Sequence, residues 1–156
     1  MLVYRITGAK YAGDLSGTGA AIYGGRWNKK GTRVLYTGET KEIALLELIV
    51  HLPPMLVPEL KIVSMEVPDS LIMRIKAGDL PDNWHDYPAP AILADIGDRW
   101  VKEGKTAGLM VPGSVIHSAN NVILNCRHPE FEKVKVIDSG KFHFDTRLKG
   151  ILQRKI

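Results

Sequence analysis

Residues 23–52 decide the fold of this chain, and they read YGGRWNKKGTRVLYTGETKEIALLELIVHL. This stretch predicts three consecutive pieces of structure. A glycine-rich loop presents Arg26, a short strand from Arg33 to Thr37 carries Tyr36, and a helix from about Lys41 to Leu52 carries Glu47. Because the pieces follow one another directly, the three side chains can converge on one cleft.

Glu47 is the charged exception in a helix that is apolar almost all round, which predicts a helix packed inside the protein. Thr40 is a suitable N-cap for this helix, Glu42 suits its first turn, and Pro53-Pro54 is expected to stop it. An ionised carboxylate in such a setting is costly unless it is paired or faces a wet cleft. Two interpretations follow, a structural ion pair with Arg26 or a chemical role for the carboxylate.

The loop and the strand offer groups that could bind a ligand. Arg26 could hold a diphosphate with its planar guanidinium, where lysine would act only as a point charge. Trp27 is predicted to be part of the core. Tyr36 alternates with Leu35 and so points to the opposite face of the sheet, where its ring could pack in the core or stack on a heterocycle.

The remaining segments predict more strands and one further helix. We expect strands at Leu2–Ile6, Leu60–Val67, Ala107–Val111, Asn121–Asn125 and Lys133–Ile137, with Phe142–Lys149 closing the domain and an optional short helix to Ile156. The second helix is predicted over Ala91–Glu103, with Ile92, Ile96 and Trp100 on its apolar face and Gly104 at its end. Long loops are predicted at Thr7–Thr32 and Asp79–Pro90. Mixed strands with few helices indicate the α+β class.

Length and composition fit a single compact domain over residues 1–156, with a mixed β-sheet core. The net charge of +4 and the pI near 9.2 could favour an anionic ligand, such as a nucleotide, a nucleic acid or an acidic partner. The basic residues are scattered, however, with short clusters at 29–33 and 147–155 that are typical of solvated surface. We expect neither a signal peptide nor a membrane span, and hence a cytoplasmic protein.

The cysteine and histidine content excludes several kinds of site. Cys126 is the only cysteine, so no intramolecular disulfide and no cysteine metal site can form. A reactive thiol would need a nearby base such as His128, but a lone cysteine beside a strand is typical of a small buried hydrophobe. The five histidines show no metal-ligand spacing, so no metal is expected.

Several separated motifs together resemble the RES domain family, which contains the toxins of Res–Xre toxin–antitoxin pairs. The resemblance spans Tyr4-Arg5-Ile6 to Asp145-Thr146-Arg147-Leu148, nearly the whole chain. Its motifs are Leu15-Ser16-Gly17-Thr18-Gly19, Gly24-Gly25-Arg26-Trp27-Asn28, Val34-Leu35-Tyr36-Thr37, Ala44-Leu45-Leu46-Glu47-Leu48-Ile49-Val50-His51-Leu52, Val111-Pro112-Gly113-Ser114, Asn121-Val122-Ile123-Leu124-Asn125 and Arg127-His128-Pro129.

The resemblance implies a fold similar to that of ADP-ribosyltransferases and an enzyme that acts on NAD+ as its substrate, with no further cofactor. It implies that Arg26, Tyr36 and Glu47 line the NAD+ pocket as catalytic residues. Arg26 and Tyr36 would also bind the substrate, and Ser114 would lie nearby. Ser114 follows glycine where many relatives place serine directly after proline, and it lacks the G-x-S-x-G setting of a hydrolase nucleophile. The implied partner is an Xre-type antitoxin, with the toxin as a homodimer or in a larger hetero-oligomer.

One carboxylate is sufficient for cleavage of the nicotinamide–ribose bond. Nicotinamide is a cation in NAD+ and leaves neutral, so the departing group needs no general acid, whereas the sugar gains oxocarbenium character. Glu47 would stabilise that cation, Arg26 would fix the diphosphate and Tyr36 would pack against nicotinamide. The acceptor could be water, phosphate or a protein side chain, so hydrolysis, phosphorolysis and protein ADP-ribosylation all stay open.

Two other functional classes stay open. A nuclease or nucleic-acid-binding toxin would use the basic charge, but the sequence lacks the basic and aromatic surface typical of that class, so we do not expect direct binding of nucleic acid. A non-enzymatic partner-binding domain would leave Glu47 as an internal ion pair.

Overall fold

The computed structural model describes residues 1–52 and 59–148. Its strands are β1 (Leu2–Gly8), β2 (Val34–Gly38), β3 (Leu60–Glu66), β4 (Ile72–Arg74), β5 (Gly108–Pro112), β6 (Asn120–Asn125) and β7 (Lys135–Phe142). Its α-helices are α1 (Thr18–Tyr23), α2 (Lys41–His51) and α3 (Ala91–Glu103). Short 3-10 helices lie at Ala9–Tyr11, Asp69–Leu71, Ala77–Asp79 and Phe131–Lys133.

These strands form one seven-stranded sheet in the order β4-β5-β6-β2-β1-β3-β7. Of the neighbouring pairs in it, β4 and β5 run parallel, and the others are antiparallel. The central strands β1 and β2 pair at a single position, Tyr4 with Gly38, whereas β1 pairs with β3 along its whole length. The predicted α+β class with a mixed sheet is therefore confirmed. At the centre of the sheet, β1 and β2 are joined by one pair of residues only.

Side-chain alternation divides the core between the two faces of the sheet. On one face Leu35, Val122 and Leu124 pack with Val3 and Val63. On the other face two clusters lie side by side. One contains Trp27, Trp84 and Trp100 and is covered by α3, and the other places Ala44 and Ile49 of α2 against Ile6. The helices α2 and α3 thus cover the same face, and a cleft can form between them.

The predicted bounds of α3 are confirmed, and Trp100 and Ile96 of its predicted apolar face pack in the core, whereas Ile92 does not. The residues of α3 that are buried are Leu93, Gly97 and Trp100, while Ile92 is exposed. A methyl group at Gly97 would lie 1.8 Å from the carbonyl oxygen of Trp27, so only glycine allows this close approach of the helix. This contact places a glycine on the inward face of α3, which hydrophobicity alone could not indicate.

Other predictions need correction where distant parts of the chain determine the structure. The predicted loop Thr7–Thr32 contains α1 and a 3-10 helix. The short parallel strand β4 was not predicted. The strand predicted at Lys133–Ile137 runs from Lys135 to Phe142. Helix α2 is not buried all round, since Val50 is 52% exposed. The stop at Pro53-Pro54 and the optional helix at 149–156 lie outside the described residues. In the described ranges no helix is long and apolar enough to cross a membrane.

Candidate active site

The candidate site lies on the sheet face that carries α2 and α3, at the carboxyl end of β2. Tyr36 and Gly38 of β2 pair with Ile123 and Asn121 of β6. Because paired residues share a face, Tyr36 and Asn121 both point towards the helices. The site is therefore built on two central strands, with Arg26 from the preceding loop and Glu47 from α2.

Glu47 is half-buried in the middle of α2, and its position is fixed by the start of the helix and by one hydrogen bond. Thr40 caps the helix as predicted, since its hydroxyl accepts from the backbone N–H of Ile43 at 3.2 Å. The amide Nδ2 of Asn121 donates to Oε1 of Glu47 at 3.0 Å. The ion pair with Arg26 is not formed, since no salt bridge within residues 1–52 and 59–148 includes Glu47.

Arg26 holds the segment that precedes α3. Its two terminal nitrogens donate to the backbone carbonyls of Trp84 at 2.8 Å and Asp86 at 3.0 Å. Partial burial lowers the pKa of the Arg26 guanidinium, and the carboxylate of Glu47 is the largest charge that acts in the opposite direction. The negative charge of Glu47 therefore acts on the Arg26 guanidinium, although no salt bridge within the described residues joins the two groups.

Tyr36 joins the core to the glycine-rich loop. Its ring packs against the core cluster that includes Trp27, which is 2% exposed and thus confirmed as core. Its hydroxyl accepts from the Trp27 backbone N–H at 3.0 Å and donates to Oδ1 of Asn28 at 2.7 Å. Burial raises the pKa of the phenol well above its ordinary value. A side chain at Gly25 would lie 2.6 Å from this hydroxyl, so glycine is needed there.

Asn28 organises the loop, although its type alone did not predict this. It is 1% exposed. Its Nδ2 donates to the carbonyls of Ala20 at 2.8 Å, Lys29 at 3.0 Å and Thr32 at 3.1 Å. One side chain thereby satisfies several backbone acceptors, which rigidifies the loop that presents Arg26. The available signal was its position directly after Arg26 and Trp27, between two glycine-containing segments.

Ser114 follows β5 in a turn and is half-buried, and within the described part of the chain its side chain makes no hydrogen bond to Arg26, Tyr36 or Glu47. Its loop nevertheless reaches the site through His117. The His117 ring lies 5.1 Å from the ring of Trp84. The same loop is thus next to the segment that Arg26 holds.

Asn121 is the site residue whose role sequence reasoning missed. It is buried, with an exposed fraction of 9%, and strand pairs with Gly38 and Val111 hold it from both sides. Nothing in a strand sequence indicates that one asparagine will meet a glutamate 74 residues away.

Cys126 and His128 do not form a second site. Burial raises the pKa of the Cys126 thiol to about 12, which disfavours the nucleophilic thiolate. The ring of His128 contacts the carbonyl of Gly104 at 3.0 Å and the backbone N–H of Glu130 at 3.1 Å, so both of its nitrogens are engaged. Within residues 1–52 and 59–148, no group of three or more His, Cys, Asp or Glu side chains could hold a metal ion.

Fold and site together define a class of small α+β domains in which one guanidinium lies within electrostatic range of one carboxylate and one tyrosine. The RES domain family model matches residues 2–145, and this chain belongs to that family. Toxin Res of Yersinia enterocolitica is 38% identical over 96% of this chain and 100% of its own length. The Prs ADP-ribosylating toxin of a Sphingobium species is 34% identical over 88% of each chain.

A solved structure shares the fold. The crystal structure of the M. tuberculosis MbcT–MbcA toxin–antitoxin complex contains a chain that superposes with a TM-score of 0.78. The match covers 99% of this chain and 89% of the other at 17% identity. This likeness supports the fold assignment independently of the sequence comparison.

Proposed function

We propose that this chain is the toxin of a toxin–antitoxin pair and that it arrests growth by cleaving the nicotinamide–ribose bond of NAD+. The observation that carries the proposal is the single carboxylate of Glu47, which is held by the Asn121 amide and whose negative charge acts on the Arg26 guanidinium. The names of the relatives support a toxin, and the name of the Sphingobium relative supports ADP-ribose chemistry.

The reaction breaks the C–N bond between ribose and nicotinamide, and the bonding electron pair leaves with the nicotinamide nitrogen. Positive charge then develops on the sugar, where the Glu47 carboxylate stabilises it more strongly than in the ground state. The acceptor oxygen forms the new bond to the sugar carbon and, where that oxygen belongs to water, releases a proton to solvent. No cofactor is required, because NAD+ is the substrate.

Arg26 can bind a diphosphate while it holds the protein. A guanidinium carries five N–H donors, and the contacts with Trp84 and Asp86 use two of them. The other donors remain for phosphate oxygens. We therefore assign Arg26 two tasks, which are to hold the 84–86 segment beside the cleft and to attract the anionic part of NAD+.

Tyr36 would position the ligand with its ring rather than with its hydroxyl. The hydroxyl is already engaged by the loop backbone and by Asn28. A ring fixed in this way can pack against nicotinamide. Ser114 remains a proposed substrate-binding residue of the neighbouring loop.

The direct test is to incubate the purified protein with NAD+ and to measure released nicotinamide. Release that depends on Glu47 supports cleavage, while its complete absence at every pH tested would refute the proposed reaction. Added phosphate separates the acceptors, because phosphorolysis depends on its concentration and hydrolysis does not.

Protein ADP-ribosylation is the second candidate, and the 34% identical ADP-ribosylating relative favours it. Labelled NAD+ in a bacterial lysate distinguishes the two reactions. Label that becomes covalently attached to a protein band indicates transfer, whereas label found only in small molecules indicates hydrolysis or phosphorolysis.

A nuclease function has less support from the structure. In the basic cluster near the site, Lys29 pairs with Asp95 through its ammonium group, while its backbone N–H donates to Asp98 at 3.0 Å. Arg33 donates to the Thr18 hydroxyl at 3.2 Å. Neighbouring carboxylates thus offset part of the positive charge that a phosphate backbone would require.

We propose an Xre-type antitoxin as the partner, with the toxin as a homodimer or part of a larger hetero-oligomer. Exposed apolar side chains lie on the three segments around Arg26. Tyr23 is 79% exposed and Tyr87 is 91% exposed, while Val115 and Ile116 follow Ser114 in its loop. Such a rim fits a partner that covers the cleft.

An antitoxin carboxylate in the cleft could take the donors of Arg26 that a diphosphate would otherwise use. Antitoxin and NAD+ should then compete, and Arg26→Ala should weaken both the complex and the activity. A complex that turns over NAD+ as fast as the unbound toxin would refute this proposal. An antitoxin affinity that saturating NAD+ leaves unchanged would refute it too, because ligands that share one pocket weaken each other.

A further inference from the structure

The side chain of Asn121 forms a hydrogen bond through only one of its two polar atoms in the described structure. Its Nδ2 donates to Glu47 at 3.0 Å, but its Oδ1 is fully buried and makes no hydrogen bond in the described structure. A buried polar atom without a partner costs about 1–3 kcal/mol. An apolar side chain at this place in β6 would avoid that cost. The asparagine is thus unfavourable for stability alone, and its amide N–H group is the feature that needs a reason.

The surroundings of Asn121 suit it for holding another side chain. Its backbone is paired on both sides, with Gly38 in β2 and with Val111 in β5, so the amide projects from a rigid central strand. A group fixed in this way can hold a reacting carboxylate in one orientation without reorganisation.

We propose that Asn121 is a positioning residue that orients the Glu47 carboxylate towards the sugar of the substrate. The proposal deepens and rests on the proposed NAD+ cleavage. The amide donates to one carboxylate oxygen, Oε1, and leaves the other available for the sugar. The unpartnered Oδ1 of Asn121 lowers stability, while Nδ2 of the same side chain holds Glu47 in place.

The other charged groups around this pair differ in their effect. Burial lowers the pKa of the Arg26 guanidinium in the glycine-rich loop, and the negative charge of Glu47 acts against that lowering. The Tyr36 phenol on β2 is held neutral by burial. Glu39, which follows β2, is bound by the neighbouring Asn120, whose Nδ2 donates to it at 3.0 Å. Asn120 points to the opposite face of the sheet, so its contact with Glu39 offers a matched control for the contact of Asn121 with Glu47.

Asn121→Asp is the most informative variant. It keeps the shape of the side chain but places a second carboxylate beside Glu47, and two adjacent carboxylates share one proton with a raised pKa. At neutral pH the donor is absent, so kcat should fall about 100-fold with a much smaller change in KM. As the pH falls, one proton binds to the pair and restores a donor, so activity should recover in acid. Asn120→Asp should keep the wild-type pH profile.

Stability measurements test the same contact without NAD+. In Asn121→Asp, the raised pKa contributes stability that is present below the unfolded value of about 3.9 and is lost as the pH rises through the folded value. In the double variant Asn121→Asp with Glu47→Gln, the new amide can donate to the new carboxylate. The loss of stability with rising pH should then disappear in the double variant. Nicotinamide release should stay low, because the carboxylate lies at position 121 and not at position 47.

The outcomes separate the two proposals. A wild-type protein that releases no nicotinamide refutes the proposed reaction and, with it, any role of Asn121 in that reaction, while the stability cycle still reports the Asn121–Glu47 contact. A wild-type protein that cleaves NAD+, with an Asn121→Asp variant that keeps the wild-type kcat and pH profile, overturns the positioning role. If Asn121→Asp does not fold, Asn121→Ala removes the donor and the unpartnered oxygen together, and a wild-type kcat in that variant overturns the role as well.

Discussion

Replacing Glu47 by glutamine separates a chemical role of this side chain from a structural one. The glutamine side chain has the same length, and its amide oxygen could still accept the hydrogen bond from Nδ2 of Asn121, which measures 3.0 Å in the native protein. The change removes the negative charge that acts on the Arg26 guanidinium. We therefore expect a folded protein with a defective site.

The expected magnitudes differ strongly between activity and stability. Loss of one preorganised electrostatic group costs roughly 3 kcal/mol or more in the transition state, which lowers kcat by about 100-fold to 1,000-fold. The folded state only exchanges a hydrogen bond to a charged acceptor for one to a neutral acceptor, which costs about 1 kcal/mol. Activity should thus fall by orders of magnitude while the urea midpoint changes little.

The assay is nicotinamide release by Glu47→Gln at saturating NAD+, together with urea unfolding of the same sample. Glu42→Gln is the matched control, because Glu42 lies in the first turn of the same helix and is exposed. That variant should keep wild-type kcat. An unfolded Glu47→Gln protein would show that the carboxylate is structural, and a fully active one would show that the mechanism is wrong.

Three further predictions concern Arg26, Tyr36 and Cys126. Arg26→Lys keeps the charge but loses the planar fork that binds two loop carbonyls, so NAD+ cleavage should fall sharply and amide exchange at 84–86 should accelerate; unchanged kinetics would remove Arg26 from the site. Tyr36→Phe leaves the Trp27 N–H without its acceptor and should destabilise the protein by about 1–3 kcal/mol in urea unfolding, and an unchanged midpoint would contradict this. Because the pKa of the Cys126 thiol is raised to about 12, iodoacetamide should label the folded protein near pH 9 slower than the unfolded chain by roughly two orders of magnitude, and equal rates would show an accessible thiolate.

The elements that the sequence predicted well are those with local signals. Helix α3 runs from Ala91 to Glu103 as expected, because its apolar period is strong and Gly104 ends it in a left-handed conformation with φ of 58°. The cap at Thr40 was equally local, since its hydroxyl bonds a backbone group three residues away. Trp27 was predicted as core on size and position alone.

The features that the sequence did not predict depend on contacts between distant residues. The partner of Glu47 is Asn121, 74 residues further on, and a carbonyl bound by Arg26 belongs to Trp84, 58 residues further on. The expected Arg26–Glu47 ion pair was inferred from the isolated carboxylate in an apolar helix, without knowledge of its neighbours in the fold. The fold instead gives each group neutral partners, which avoids the geometric and desolvation demands of a buried pair.

Tyr36 and Arg26 are each held by two hydrogen bonds and Glu47 by one, and this difference determines how their mutants can be interpreted. Tyr36 is bonded to a backbone N–H and to a buried asparagine, and Arg26 is bonded to two backbone carbonyls. Substituting either one disturbs the loops around the cleft as well as the ligand contacts. The Glu47 carboxylate is held by its hydrogen bond from Asn121, and glutamine can preserve that bond. A loss of activity at Glu47 can therefore be attributed to its charge with less ambiguity than a loss at Arg26 or Tyr36.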